Sequence, residues 1–172
     1  MNLVIQTERL LLREFTMKDA ALIYELNKDP EVTRWTGDPI RNEEHGLEVL
    51  EQIIIPQYLL YNHGRWAVHT SSNLEFIGWC GLKARPELNE IDLGYRFKKS
   101  AWGKGYASES AFASLKYGFE KLGLERIVGR AMPQNTASWK VLEKCGMVFV
   151  KEEVVDNHPA RTYEAWSPLI HP

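Results

Sequence analysis

The spacing of apolar residues at the start of the chain predicts one strand followed by a helix. A run of three leucines between charged residues indicates a strand over residues 7–14. Thr16 and Asp19 have the spacing of a helix capping box, in which each side chain bonds the backbone of the other. The helix that follows is expected to end before Pro30, because the residue before a proline disfavours helical geometry. Residues 35–40 carry Gly, Asp and Pro and are expected to form a loop.

The middle of the chain predicts a second helix and then three strands. Helical spacing of apolar residues extends over residues 43–61 and is interrupted near Pro56. Residues 66–70 and 76–82 have the composition of strands around a polar turn. Residues 90–97 alternate cleanly between apolar and charged positions, which is typical of a strand with two different faces.

The second half of the chain alternates helices with strands. The predicted elements are a glycine-bearing loop over 100–105, a helix to about Lys121 stopped by Gly123, a strand over 126–131, a helix capped by Asn135, and strands over 147–155 and 162–166. The order is therefore strand, two helices, three strands, helix, strand, helix and two strands. This order predicts an α+β fold in which helices pack on a mixed sheet.

Composition and charge narrow the class of protein. The 172 residues suit one domain spanning residues 1–172, with 44% hydrophobic and 26% charged residues. The formal net charge of −2 provides no basic field for nucleic acid, so no nucleic-acid partner is expected. No apolar run is long enough to span a bilayer, and the N-terminus lacks the apolar block of a signal peptide. We therefore expect a cytoplasmic protein without a membrane partner.

The cysteines and histidines do not have the spacing of a metal site. Cys80 and Cys145 are far apart and suggest buried thiols in a reducing compartment, with a disulfide between them as the alternative. The five histidines are His45, His63, His69, His158 and His171. They show no metal-ligand spacing with each other or with the cysteines, so no metal is expected.

The segment 98–107 contains a candidate phosphate-binding loop. Gly103 and Gly105 allow a ligand to approach the backbone, and the following helix presents unpaired N–H groups at its first turn. Lys98, Lys99 and Lys104 add positive charge. The alternative is a flexible, glycine-containing turn with solvated lysines, because the segment has neither a Walker loop nor a dinucleotide fingerprint.

Several motifs in order resemble the GNAT superfamily of N-acetyltransferases, and more narrowly the branch of the ribosomal-protein alanine and serine N-acetyltransferases. The motifs are DLGYRF at 92–97, WGKGYA at 102–107, NTAS at 135–138, VLEKCGM at 141–147 and TERLLLR at 7–13. The resemblance covers nearly the whole chain. It implies a mixed, mostly antiparallel sheet splayed at its centre, with helices on both faces, and acetyl-CoA as co-substrate.

The resemblance also implies how acetyl-CoA would be held. Backbone N–H groups of the loop 100–105 would bind the pyrophosphate, and strand 95–97 would run beside the pantetheine arm. Ser100 departs from the Arg or Gln that is common there, which puts a side-chain contact in doubt. The residues expected to contact acetyl-CoA are Tyr95, Arg96, Phe97, Ser100, Ala101, Trp102, Gly103, Lys104, Gly105, Tyr106, Ala107, Asn135 and Ser138.

Candidate catalytic residues lie on the same elements. Glu90 and Asp92 share one face of the predicted strand, and either is a candidate general base, with solvated surface positions as the alternative. Ser138 is the candidate hydroxyl near the sulfur of the leaving thiol, although it could also be a small residue in a first helical turn. Glu109 is expected to interact with the start of its own helix. Asn135 is either a ligand of the pantetheine amide or a plain N-cap.

The acceptor is expected to be a primary amine. An α-amino group has a pKa of about 7.7–8.0, whereas a lysine side chain has one of about 10.4, so a site without a convincing base favours a protein N-terminus or another amine of low pKa. The alternatives are a small amine (a polyamine, an aminoglycoside-like compound or an amino acid) and a non-catalytic acyl-CoA sensor. Trp35, Asp38 and Tyr58 are candidate acceptor-binding residues, with ordinary surface positions as the alternative. The sequence is compatible with a monomer or a homodimer.

Overall fold

The computed structural model of the protein describes residues 1–168, which form one mixed sheet flanked by helices. The strands are β1 Leu3–Gln6, β2 Leu10–Glu14, β3 Arg65–Thr70, β4 Phe76–Arg85, β5 Glu90–Phe97, β6 Arg126–Ala131, β7 Val148–Val155 and β8 His158–Trp166. The α-helices are α1 Ala20–Asn27, α2 Glu43–Val49, α3 Ile55–Tyr61, α4 Tyr106–Glu120 and α5 Thr136–Lys144. The sheet order is β1-β2-β3-β4-β5-β6-β8-β7, and β5 and β6 are paired in parallel while the other neighbours are antiparallel. The predicted α+β architecture is confirmed.

The predicted first strand is wrong at its N-terminal boundary, because residues 7–9 form a turn between β1 and β2. The Thr7 hydroxyl accepts a hydrogen bond from the Leu10 N–H at 3.0 Å and donates one to the Glu109 carboxylate at 2.7 Å. These two bonds fix the turn, so β1 folds back onto β2 in an antiparallel hairpin. The sequence pattern missed β1, since a strand of four residues is too short to show a clear alternation.

The predicted start and end of the first helical region are confirmed. The Thr16 hydroxyl accepts a hydrogen bond from the Lys18 N–H at 3.3 Å, and the Asp19 carboxylate accepts one from the Thr16 N–H at 2.8 Å, which completes the capping box. A short 3-10 turn leads from this box into α1. Helix α1 ends at Asn27, before Pro30.

The predicted interruption of the second helical region takes the form of a wide helical turn. A π-helical turn over Leu50–Ile54 joins α2 to α3, and Pro56 lies in the first turn of α3. Proline has no N–H to donate to the preceding turn, so a change of helical geometry just before it avoids a lost hydrogen bond.

Helices cover both faces of the sheet and define two apolar cores. On one face α4 and α5 pack on the sheet, and this core contains Leu82, Leu93, Phe97, Leu115 and Leu142. On the other face α1, α2 and the π-helical turn pack over β2 to β4, and this core contains Phe15, Ile23, Leu26, Leu50 and Phe76. Because alternate residues of β5 point to opposite faces, Leu93 and Phe97 enter the first core while Asp92 and Arg96 point to the second face.

The sheet splays between β5 and β6, as the resemblance implied. These two strands pair only at Asp92 with Val128 and at Leu93 with Gly129. Beyond Leu93, β5 continues to pair with β4 as far as Phe97, whereas β6 remains paired with β8. The backbone of residues 94–97 therefore has strand partners on one side only, and a wedge opens between β5 and β6.

Three expectations from the sequence concern the cysteines, membrane-spanning helices and metal ligands. Cys80 and Cys145 are free thiols, so the disulfide alternative is wrong, and burial raises the pKa of Cys145 to about 11. Between residues 1 and 168, no helix is long and apolar enough to cross a membrane. The same residues contain no group of three or more His, Cys, Asp or Glu side chains that could hold a metal ion. His171 lies outside the described residues.

Candidate active site

The glycine-bearing loop forms a backbone cradle at the start of α4. Gly103 and Gly105 have φ angles of +74° and +81°, in the left-handed region that favours glycine. Gly105 is the N-cap of α4 and no side chain caps the helix, so the N–H groups of its first turn are available. The indole N–H of Trp102 donates to the Phe97 carbonyl at 2.9 Å and fixes the loop against the end of β5. The positive end of α4 thus lies close to the C-terminal end of β5, the strand that borders the wedge.

Arg9 and Glu109 hold this loop from the side of the β1–β2 turn. Arg9 donates to the Lys104 carbonyl at 2.9 Å and to the Glu109 carboxylate at 2.7 Å. Burial disfavours ionisation of Glu109, but hydrogen bonds from Thr7 and Arg9 outweigh it and lower the pKa of this carboxylate. Glu109 lies in the first turn of α4, as expected, and its carboxylate also binds Thr7 and Arg9 of the β1–β2 turn. Sequence reasoning missed Arg9, which lies 100 residues away from its partner.

Tyr95 connects the wedge to the start of α5. Its hydroxyl donates to the Ser138 carbonyl at 2.6 Å and lies 3.2 Å from the Ser138 hydroxyl. Burial is the main reason that the pKa of Tyr95 is raised, so this phenol stays protonated at neutral pH. Asn135 accepts a hydrogen bond from the Ser138 N–H at 3.4 Å and is the N-cap of α5. The structure thus brings Tyr95, Asn135 and Ser138 together, although the sequence pattern did not link Tyr95 to Ser138.

The two candidate bases on β5 are both paired with arginines. Glu90 accepts hydrogen bonds from both terminal nitrogens of Arg130, at 2.7 and 3.0 Å, and these bonds lower its pKa. Asp92 accepts from Arg65 at 2.9 Å, and the same guanidinium donates to the Asp92 carbonyl at 2.8 Å. Arg65 lies directly over Gly94, where a Cβ atom would be 2.6 Å from its terminal nitrogen. An arginine therefore occupies the face of β5 beside the point where the strands separate.

The segment between α1 and α2 is tied to β5 through the side chain of Arg96. This guanidinium donates to Thr36 at 2.8 Å, to the Asp38 carboxylate at 2.9 Å, and to the amide oxygen of Asn27. Trp35 lies in the same segment and is half-buried. The structure thus places Asp38 next to β5, where its carboxylate pairs with the side chain of Arg96. The resemblance had implied a role for the backbone of this part of β5.

Tyr58 has a different environment from the other candidate acceptor residues. Its hydroxyl accepts a hydrogen bond from the Phe15 N–H at 3.1 Å and donates to the Arg65 carbonyl. Burial is the main reason that the pKa of Tyr58 is raised. This hydroxyl therefore bridges the end of β2 and the start of β3.

The residues present fit a CoA molecule at this site. The open space at Gly103, the uncapped first turn of α4 and the nearby lysines suit a pyrophosphate. The backbone of residues 94–97 pairs with β4 but not with β6, so its groups on the β6 side can bond an extended amide-containing arm such as pantetheine. Both features lie at the C-terminal end of β5, where the Trp102 indole N–H donates to the Phe97 carbonyl.

Comparisons with known proteins establish the family. A family model described as an acetyltransferase (GNAT) domain matches residues 9–148. The chain is 31% identical over 156 residues to an uncharacterized N-acetyltransferase of Bacillus licheniformis, covering 90% of this chain and 86% of that protein. It is 32% identical over 149 residues to an FsC-acetyl coenzyme A-N(2)-transacetylase of Aspergillus fumigatus, covering 81% of this chain and 59% of that protein. The chain therefore belongs to the GNAT family of N-acetyltransferases, and the resemblance of its motifs is confirmed.

Solved structures support the same assignment at the level of the fold. A GNAT-family acetyltransferase from Bacillus anthracis has a TM-score of 0.81 and 27% identity, covering 95% of this chain and 98% of that chain. A ribosomal α-N-protein acetyltransferase in complex with coenzyme A has a TM-score of 0.80 at 16% identity, covering 96% of this chain and 98% of that chain. The fold is thus shared with a ribosomal-protein acetyltransferase, while the acceptor of this chain has to be argued from its own residues.

Proposed function

We propose that the protein transfers the acetyl group of acetyl-CoA to the α-amino group of a peptide or protein. The loop 100–105 and the first turn of α4 hold the pyrophosphate, and residues 94–97 bind the pantetheine arm in the wedge. Acetyl-CoA supplies the acetyl group as an activated thioester. The amine approaches on the face of β5 that carries Asp92 and Arg96, because α4 and α5 cover the opposite face.

The observation that carries the choice of acceptor is the pairing of Glu90 and Asp92 with arginines. A general base works best when its pKa lies near the working pH, whereas Arg130 lowers the pKa of Glu90. Asp92 is held by Arg65 through both its carboxylate and its carbonyl. An α-amino group, with a pKa of about 7.7–8.0, is partly neutral at pH 7 and needs little help from either group. A lysine side chain, with a pKa of about 10.4, would require a stronger base than this face provides.

Ser138 and Tyr95 serve the leaving thiol in this proposal. Their hydroxyl groups lie 3.2 Å apart at the start of α5, on the side of the wedge away from the amine. The Tyr95 hydroxyl donates to the Ser138 carbonyl at 2.6 Å, so the Ser138 hydroxyl is the group that bonds the thiol and Tyr95 holds it in place. Proton donation or hydrogen bonding to a developing thiolate is the chemistry that such a pair supplies. Asn135 positions Ser138 through the cap of α5.

Thiol release from acetyl-CoA with a panel of amines tests the proposed function. The panel contains C-terminally amidated peptides with a free α-amine, an α-blocked lysine peptide, spermidine, an aminoglycoside and an amino acid. We expect the free α-amine peptides to be turned over and the α-blocked lysine peptide to be inert. Turnover restricted to the polyamine, aminoglycoside or amino acid would contradict the peptide acceptor. Binding of acetyl-CoA without turnover of any amine would support the acyl-CoA sensor instead.

A further inference from the structure

Strand register places a set of charged side chains on the face of the sheet where the amine approaches. On β4 and β5, Lys83 lies opposite Asp92 and Arg85 lies opposite Glu90. Directly opposed residues of an antiparallel pair share one face. The β5–β6 pairing of Asp92 with Val128 puts alternate residues of β6 on that face as well. The charged residues of this face on β4, β5, β6 and β8 are Lys83, Arg85, Glu90, Asp92, Arg96, Arg126, Arg130 and Glu164.

Lys83 differs from its neighbours on this face because it has no partner of opposite charge. The ion pairs of the other residues are Arg65–Asp92, Arg85–Glu87, Arg85–Asp156, Arg96–Asp38, Arg126–Glu164, Arg130–Glu90 and Arg130–Glu153. Among the residues that the structure describes, none makes a hydrogen bond or an ion pair with the Lys83 ammonium. Lys83 is half-buried as a residue, and partial burial disfavours the charged form of a side chain that has no counter-ion.

The surroundings of Lys83 favour an incoming anion. Burial lowers the pKa of Lys83, and the positive charges of Arg65 and Arg85 lower it further. Asp92 and Glu87 act in the opposite direction, but each is already engaged by one of these arginines. An anion bound to Lys83 would therefore meet an ammonium that no carboxylate of residues 1–168 pairs with, beside arginines whose own carboxylates are already engaged.

Lys83 lies close to the point where the strands separate. It is the cross-strand neighbour of Asp92, and β5 leaves β6 directly after Leu93. Gly94 lies two residues beyond Asp92, the residue of β5 that is directly opposite Lys83. Two residues of a strand span roughly 6.6–6.8 Å, which is about the length of a dipeptide unit. An extended acceptor whose amine reaches the wedge can thus place a side chain of one of its first three residues at Lys83.

We propose that Lys83 binds a carboxylate of the acceptor, so that the preferred acceptors are peptides with Asp or Glu among their first three residues. This inference rests on the proposed function, because it assumes that the amine is presented at the wedge. Lys83 is a specificity-determining residue in this arrangement. It donates a charge-assisted hydrogen bond to the acceptor carboxylate and takes no part in the transfer of the acetyl group.

Matched peptides and charge-removing variants test the inference. Peptides with a free α-amine and an amidated C-terminus are compared with either Glu or Gln at the first, second or third position. For the wild-type protein we expect one Glu peptide to have a KM roughly tenfold lower than its Gln counterpart, as one half-buried charge-assisted bond would give. Lys83→Met is expected to abolish this difference while leaving the KM for acetyl-CoA unchanged, and Lys83→Arg to retain most of it. Lys116→Met, which removes an exposed lysine of α4, is the control for net charge.

The outcomes separate the inference from the proposed function. A wild-type protein that turns over Glu and Gln peptides equally at all three positions would overturn the role of Lys83, as would a preference that persists in Lys83→Met. If no peptide is turned over, calorimetric titration of the N-acetylated Glu and Gln peptides provides a readout without catalysis. Tighter binding of the acidic peptide, lost in Lys83→Met, supports the carboxylate site even then, and equal binding contradicts it.

Discussion

Replacing Arg96 by Met tests which contact holds the segment between α1 and α2 against β5. The guanidinium donates to Asn27, Thr36 and Asp38. Asn27 is 3% exposed, whereas the Asp38 side chain is 60% exposed. Loss of the partner of a buried amide oxygen costs about 1–3 kcal/mol. Loss of the exposed ion pair costs about 0–1 kcal/mol, and loss of the cation–π contact with Trp79 about 0.5–1 kcal/mol. The expected total is about 3 kcal/mol, and the buried amide contributes most of it.

Urea unfolding of two variants separates these contributions. Arg96→Met is expected to lower the free energy of unfolding by about 3 kcal/mol, which corresponds to a Tm decrease of roughly 6–12 °C for a chain of this size. Asp38→Asn, which keeps Arg96 bonded to Asn27, is expected to cost less than about 1 kcal/mol. Equal losses in the two variants, or a loss below about 1 kcal/mol for Arg96→Met, would refute the argument that the buried amide dominates.

Three further predictions concern Tyr95 with Ser138, Lys83 and Glu109. Tyr95→Phe and Ser138→Ala are each expected to lower kcat with little change in the KM for acetyl-CoA. A double-mutant cycle of the two should give a coupling free energy of roughly 0.5–3 kcal/mol, and strictly additive effects would contradict a joint role of the two hydroxyl groups. Because the pKa of Lys83 is lowered in the fold, its destabilising effect is present at neutral pH and is lost as the pH rises to the ordinary value of 10.5. The stability of the wild type relative to Lys83→Met should therefore rise with pH over that window, and a constant difference would be inconsistent with the burial of Lys83. Glu109→Gln is expected to weaken acetyl-CoA binding in calorimetry, since Arg9 loses the carboxylate that holds it against the Lys104 carbonyl, and unchanged affinity would show that this clamp is unnecessary.

The parts of the site that the sequence predicted are those whose chemistry is local in the chain. The loop 100–105 could be named as a candidate phosphate site because two glycines, the end of a strand and the start of a helix follow one another directly, and the family resemblance then favoured it over a plain turn. The capping box at Thr16 was predictable for the same reason, since its bonds join residues three positions apart. Alternation along 90–97 is likewise sufficient to assign Glu90 and Asp92 to one face of their strand. In each case the residues that interact are neighbours in sequence or share a simple period.

The ion pairs that reduce the basicity of the candidate bases join residues that are distant in the sequence. Arg65 is 27 residues from Asp92, and Arg130 is 40 residues from Glu90. A single sequence does not show which arginine meets which carboxylate, because that depends on strand order and register. For the same reason, Glu90 and Asp92 could be named as candidate bases while the arginines that neutralise them were missed.

The position of acetylation on one bifunctional peptide tests the central claim most directly. The peptide carries a free α-amine, a glutamate at its second position, an internal lysine and an amidated C-terminus. After incubation with the protein and acetyl-CoA, fragmentation mass spectrometry locates the acetyl group. We expect it on the α-amine alone, because Glu90 and Asp92 are held by arginines and cannot readily deprotonate a lysine side chain. Acetylation of the lysine side chain, with the α-amine left free, would contradict the proposed function.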